Sequence, residues 1–86
     1  MLVGGARTST VTYVEITYCV PCGYLDRALD TERAILRSFG QSLDRVTLVT
    51  GEHGVFRVTV DGEPVWDLSD DAYDVDEIVR RVRAEL

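Results

Sequence analysis

At 86 residues and 45% hydrophobic content, the chain is long enough for one domain built on a single sheet with its covering helices, and too short for a second lobe around a deep substrate cavity. A net charge of −6, from 15 acidic residues against 9 arginines and no lysine, sets nucleic acid aside as a partner. No apolar run approaches the roughly 20 residues that cross a bilayer, so no membrane partner is expected; Met1 to Thr10 lacks the apolar stretch of a secretory signal, which predicts a cytoplasmic protein. Nine aspartates on a lysine-free surface fit either adaptation to high salt or an arginine-favouring genome.

Residues 1–10 carry Gly4-Gly5 and Thr8-Ser9-Thr10 without periodicity, which predicts a flexible lead-in to a domain spanning 11–86. From Val11 to Tyr18, Val14, Ile16 and Tyr18 alternate with Tyr13, Glu15 and Thr17, the period of a strand with one wetter face. The strand delivers Cys19-Val20-Pro21-Cys22, and Pro21 suits a first helical turn because its φ is fixed and it has no N–H to leave unpaired. From Gly23 to about Phe39 the apolar residues Leu25, Ala28, Leu29, Ile35, Leu36 and Phe39 recur at helical spacing, with Gly40 placed for a left-handed cap.

Val46-Thr47-Leu48-Val49 then reads as a second strand, reached through a helix and therefore parallel to the first. A loop, Gly51-Glu52-His53-Gly54, leads to the strand Val55–Val60, and Asp61-Gly62 is a two-residue hairpin signal into Pro64–Leu68. Pro64 marks that last strand as an edge. After an acidic loop over 69–73, Asp74 and Glu77 form a capping-box-like pair before the apolar stripe Val75, Ile78, Val79, Val82 and Leu86.

The order βαβββα is an α/β arrangement, an α+β sandwich of a four-stranded mixed sheet and two helices. With a Cys-x-x-Cys between the first strand and first helix, it is the layout of a minimal thioredoxin-like fold. Two residues between Cys19 and Cys22 allow a disulfide, and a helix start favours a thiolate through its unpaired N–H groups and dipole. Reversible thiol chemistry is the leading reading, with both cysteines catalytic and no cofactor or resident metal. The alternatives are a zinc or iron half-site completed by another chain, and two inert buried cysteines. His53, the only histidine, is either a charge partner for a thiol or an exposed loop residue; Tyr18 either lines the site or completes its strand; Trp66 and Phe56 read as sheet packing.

Tyr18-Cys19-Val20-Pro21-Cys22, the segment Gly51-Glu52-His53-Gly54-Val55-Phe56, and Gly62 with Val65-Trp66 together resemble the selenoprotein W/T/H-related (Rdx) proteins over residues 12–86. The resemblance implies a small thiol–disulfide oxidoreductase-like protein of cell redox homeostasis, in which selenocysteine, where members carry it, stands at the position of Cys22. Its partner would be a protein disulfide or a small thiol such as glutathione, and its state a monomer or weak homodimer. The competing function is a non-catalytic adaptor using the same fold. The family position favours Cys22 as attacking sulfur, whereas a helix-tip argument favours Cys19. Two departures stand out: Arg57, where the family is often acidic, and Asp67 to Tyr73, where it is often basic and glycine-bearing. Pro64 has no clear correspondence to the cis-proline of thioredoxins.

Overall fold

The structure, a computed structural model, describes residues 12–70 and 72–86, so the expected lead-in over residues 1–10 and a strand start at Val11 lie outside it. Six elements follow in chain order: β1 (Tyr13–Cys19), α1 (Leu25–Phe39), β2 (Arg45–Gly51), β3 (Phe56–Val60), β4 (Glu63–Asp67) and α2 (Val75–Ala84). The strands form one mixed sheet in the order β2-β1-β3-β4, with β1 parallel to β2 and antiparallel to β3.

The alternation in β1 does what its period requires. Val14, Ile16 and Tyr18 are buried, while Tyr13, Glu15 and Thr17 are half-exposed on the other face. The antiparallel register sets Val14 against Val60, Ile16 against Val58 and Tyr18 against Phe56, so the buried faces of β1 and β3 meet as apolar cross-strand pairs. Both helices pack on that face: α1 covers β1 and β2, α2 covers β4, and the helices touch each other. Ala28 and Ile35 of α1 and Ile78 and Val82 of α2 are fully buried there, and burial of a side chain the size of valine or isoleucine stabilises by about 1.5–3 kcal/mol. The far face of the sheet has no helix on it among the described residues.

The Asp61-Gly62 turn carries φ of 52° and 87°, the pair of left-handed residues that a type I′ hairpin needs. It is also tied to the head of β1: Tyr13 N–H donates to Asp61 Oδ1 at 3.0 Å, and Asp61 N–H donates to the Tyr13 carbonyl at 2.9 Å. Beyond it β4 is an edge, as Pro64 predicts, and it is irregular. Thr59 faces Pro64 while Val58 faces Trp66, so Val65 is the extra residue of a bulge. Four rings pack edge to face around Phe56, with Tyr24, Trp66 and Tyr73 at centroid distances of 6.2, 5.8 and 5.6 Å. Trp66 and Phe56 are thus core residues. Arg27 lies between two of the rings, 4.9 Å from Tyr24 and 4.8 Å from Tyr73.

Several boundaries differ from expectation. Helix α1 begins at Leu25 rather than Gly23, because Gly23 takes φ +77°, a left-handed turn that breaks the helix before it can reach the cysteines. Pro21 therefore sits in a turn and not in a first helical turn. Gly40 is right-handed, with φ −52°, since the chain makes one more tight turn in which Ser42 N–H donates to the Phe39 carbonyl at 2.7 Å. Strand β2 runs longer than the four residues of its apolar core, from Arg45 to Gly51. At α2, Asp74 caps as expected through Asp76 N–H and Glu77 N–H, but Glu77 does not reach back. Its carboxylate is held by Arg80 and Arg81, a pairing that keeps the Glu77 carboxyl below its ordinary value, chiefly through the Arg81 hydrogen bond. Leu86 lies past the end of α2 and is exposed.

Candidate functional site

The strand delivers the first cysteine into the core and the turn carries the second out of it. Cys19 ends β1 with 0% exposure, whereas Cys22 lies in the exposed turn that follows. Three backbone bonds fix this asymmetry: Cys19 N–H donates to the Val55 carbonyl at 2.7 Å, Val20 N–H donates to the Gly51 carbonyl at 3.0 Å, and Tyr24 N–H donates to the Cys19 carbonyl at 3.4 Å. The cysteines are joined as a disulfide with Cα atoms 5.3 Å apart, inside the range an unbroken chain can bridge. The helix-tip argument, which made Cys19 the more exposed sulfur, does not survive this arrangement.

Gly51 is what lets the loop close over Cys19. A Cβ there would stand 2.7 Å from Val55 Cγ1 and 3.3 Å from Thr17 Cγ2, so a side chain could be placed only if Val55 shifted. The residues Val20, Pro21, Thr50, Gly51 and Glu52 line a groove of about 250 Å³ along the cysteine turn. Cys22 stands three residues before Leu25, at the positive end of α1, whose cap residue Tyr24 offers no side-chain acceptor to the first-turn N–H groups.

Of the remaining sequence candidates, Pro21 is in the exposed turn and lines that groove. Tyr18 is buried in the core cluster. His53, at φ +60°, lines a different groove, of about 390 Å³, with Gly54, Val55, Arg57, Asp67, Leu68 and Ser69. Pro64 is remote. It pairs with Thr59, which pairs with Glu15, four residues along β1 from Cys19 or about 13 Å at the rise of a strand. Among the described residues every peptide bond is trans.

Sequence reasoning missed the roles of Gly51 and the Val55 carbonyl; the glycine was visible, but only the fold shows what it faces. The two departures from the Rdx pattern turn out to be partners: Arg57 Nε donates to Asp67 Oδ2 at 2.8 Å across β3 and β4. Asp67 also accepts from Ser69 N–H at 2.9 Å, and that backbone bond first, then Arg57, holds its carboxyl below the ordinary value. Among the described residues no group of three or more His, Cys, Asp or Glu side chains comes together as a metal site, and no helix is long and apolar enough to cross a membrane.

The sequence model of the Rdx family matches residues 13–84, which contain every element above. The chain belongs to the Rdx family. A solved protein of Bordetella parapertussis has 35% identity to this Rdx chain at a TM-score of 0.82, covering 88% of this chain and 99% of its own. A selenoprotein W-related protein of Vibrio cholerae superposes at the same TM-score with 22% identity, covering 88% and 98%, and so supports the shared thioredoxin-like fold. No curated protein matches the chain.

Proposed function

We propose that this Rdx protein carries out thiol–disulfide exchange, with Cys22 as attacking sulfur and Cys19 as resolving sulfur. The observation that carries the reading is the joined pair with one cysteine exposed and the other buried beneath the Val55 loop. Attack needs access as well as thiolate character. Access favours Cys22, the position at which family resemblance also sets the more reactive atom.

From the reduced state, the Cys22 thiolate attacks one sulfur of a partner disulfide. The partner's S–S bond breaks as the mixed disulfide forms, and the first partner sulfur leaves as a thiolate that takes up a proton. Cys19 then gives its proton to solvent and attacks Cys22 Sγ, expelling the second partner thiolate and closing the disulfide. Two electrons pass from the dithiol to the partner. Two molecules of a small thiol such as glutathione run the sequence in reverse and are themselves oxidised to a disulfide.

The test is iodoacetamide labelling of the folded single-cysteine variants. Cys19→Ser should label at Cys22 and trap a mixed disulfide, while Cys22→Ser should label at least tenfold more slowly and lose exchange. Equal rates, with both thiols titrating near the free value of about 8.5, would remove the redox reading. The wild-type pair should equilibrate in thiol buffers between about −270 and −120 mV, the span of related dithiol sites.

A further inference from the structure

Arginine is the chain's only strong cation, and most of its copies are engaged. Arg33 pairs with Asp30, Arg57 with Asp67, and Arg80 and Arg81 with Glu77, while Arg45 lies over Tyr13 and Arg83 over Phe39. Two arginines stand at the cysteine end of the fold. Arg57 faces Thr17, two residues before Cys19, and is held by Asp67. Arg27 lies five residues past Cys22, and among the described residues no carboxylate pairs with its guanidinium and no acceptor hydrogen-bonds to it.

Arg27 is nonetheless held in place. Its guanidinium carbon lies 4.9 Å from the centre of the Tyr24 ring and 4.8 Å from that of Tyr73. Both rings are themselves fixed. Each packs edge to face on Phe56, Tyr24 N–H donates to the Cys19 carbonyl, and the Tyr73 hydroxyl lies 3.0 Å from Thr31 Oγ1. Stacking occupies the faces of a guanidinium and leaves its N–H donors, which lie in its plane. Arg27 is half-buried rather than enclosed.

The stretch from Cys22 to Tyr24 covers at most about 7 Å and the helical turn from Tyr24 to Arg27 about 5 Å, so the Cα atoms of Cys22 and Arg27 stand within about 12 Å. Long side chains on a helix lean toward its N-terminus, which carries this guanidinium back over Tyr24, toward the cysteine turn. Three extended residues span about 10 Å, so a tripeptide joined through sulfur to Cys22 has the reach to set a carboxylate on Arg27.

We infer that Arg27 selects the thiol partner: its guanidinium edge takes a carboxylate of a small, peptide-sized thiol while that thiol's sulfur is joined to Cys22. The inference rests on the exchange reading above and adds the anionic group that the substrate must carry. Exchange itself is unchanged, since the carboxylate gains or loses neither a proton nor a bond. A fixed, planar set of donors suits a carboxylate, which it holds through two parallel N–H···O bonds. Charge favours a small partner over an acidic protein. The chain carries −6, so a second acidic surface is repelled as a whole, whereas a small anion within the screening length of about 8 Å answers to the nearest cation.

The assay compares the reduced protein's rate with glutathione disulfide and with the same disulfide esterified at every carboxyl. The net charge alone would favour the ester, which is the less anionic. Wild type should react at least tenfold faster with the free acid, Arg27→Gln should bring that ratio to one or below, and Arg27→Lys should retain part of it. Arg37→Gln, an equal change of charge in the last turn of α1, should keep the wild-type ratio. S-Methylglutathione, which cannot exchange, should shift the Arg27 Nε–H resonance of the oxidised protein, and its diester should not. An Arg27→Gln ratio equal to wild type overturns the inference and leaves thiol exchange standing. The resonance shift without exchange of either disulfide overturns the exchange reading and leaves the carboxylate site standing. Glutamate-flanked peptide disulfides that gain as much over their glutamine counterparts, and lose it in Arg27→Gln, would assign the carboxylate to a polypeptide and overturn the small-thiol assignment.

Discussion

Reduction of the Cys19–Cys22 bond is the perturbation whose size follows most directly from the fold. The ring closed by the disulfide spans Cys19 to Cys22. For so small a loop, the chain entropy removed from the unfolded state is about 6 cal/mol/K, or about 2 kcal/mol at 25 °C. A domain of 86 residues has a total stability of about 4–13 kcal/mol, so the reduced protein should remain folded. Its melting temperature should fall by about 8–16 °C. Linkage makes the same quantity readable electrically: the folded pair should be harder to reduce than the pair in the unfolded chain by about 40 mV. Paired urea titrations with and without a phosphine reductant measure the first quantity, and thiol-buffer equilibration in native and denaturing conditions measures the second. Loss of the fold on reduction, or a reduced form at least as stable as the oxidised one, would refute the reasoning.

Three further outcomes follow from named contacts. The Asp67 carboxyl is held below its ordinary value, so the wild type's advantage over Asp67→Asn should be full well above pH 3.8 and be lost as the pH falls from there through the lowered folded value, as read by thermal melts across pH. Asp74→Ala removes the acceptor for Asp76 N–H and Glu77 N–H and should cost about 1 kcal/mol in urea unfolding, with Asp74→Asn close to wild type. If carboxylate repulsion opposes folding, the melting temperature should rise from low to molar sodium chloride as the screening length falls from about 10 Å at 0.1 M to about 3 Å; an unmoving value removes the high-salt reading of the acidic surface.

The elements that the sequence announced are those with a local cause. Alternation at Val14, Ile16 and Tyr18, the Asp61-Gly62 pair and the Asp74 cap each act within a few residues of themselves, and each stands where its pattern put it. The start of α1 was misplaced because no polar cap announces it: Tyr24 is the cap residue and makes no side-chain bond. Which cysteine is exposed was beyond local reading altogether. It is decided by Val55 and Gly51, far along the chain, whose carbonyls accept from Cys19 N–H and Val20 N–H. The same holds for Arg57 and Asp67, which look like separate oddities in the sequence and are one ion pair across a hairpin.

The edge-to-face rings give the protein a built-in optical reporter. Trp66 is the only tryptophan, it is 2% exposed, and its buried Nε1–H has no hydrogen-bond partner among the described residues. An indole held in so apolar a setting emits at short wavelength. Tyr73 stands 6.2 Å from it, and Tyr24 packs on Phe56, which packs on Trp66 in turn. Excited tyrosines at these separations hand their energy to the indole. Because Tyr24 N–H is bonded to the Cys19 carbonyl, any shift of the cysteine turn would move one of the donors. Tyrosine-sensitised emission from unlabelled protein should therefore report any displacement of the cysteine turn on reduction.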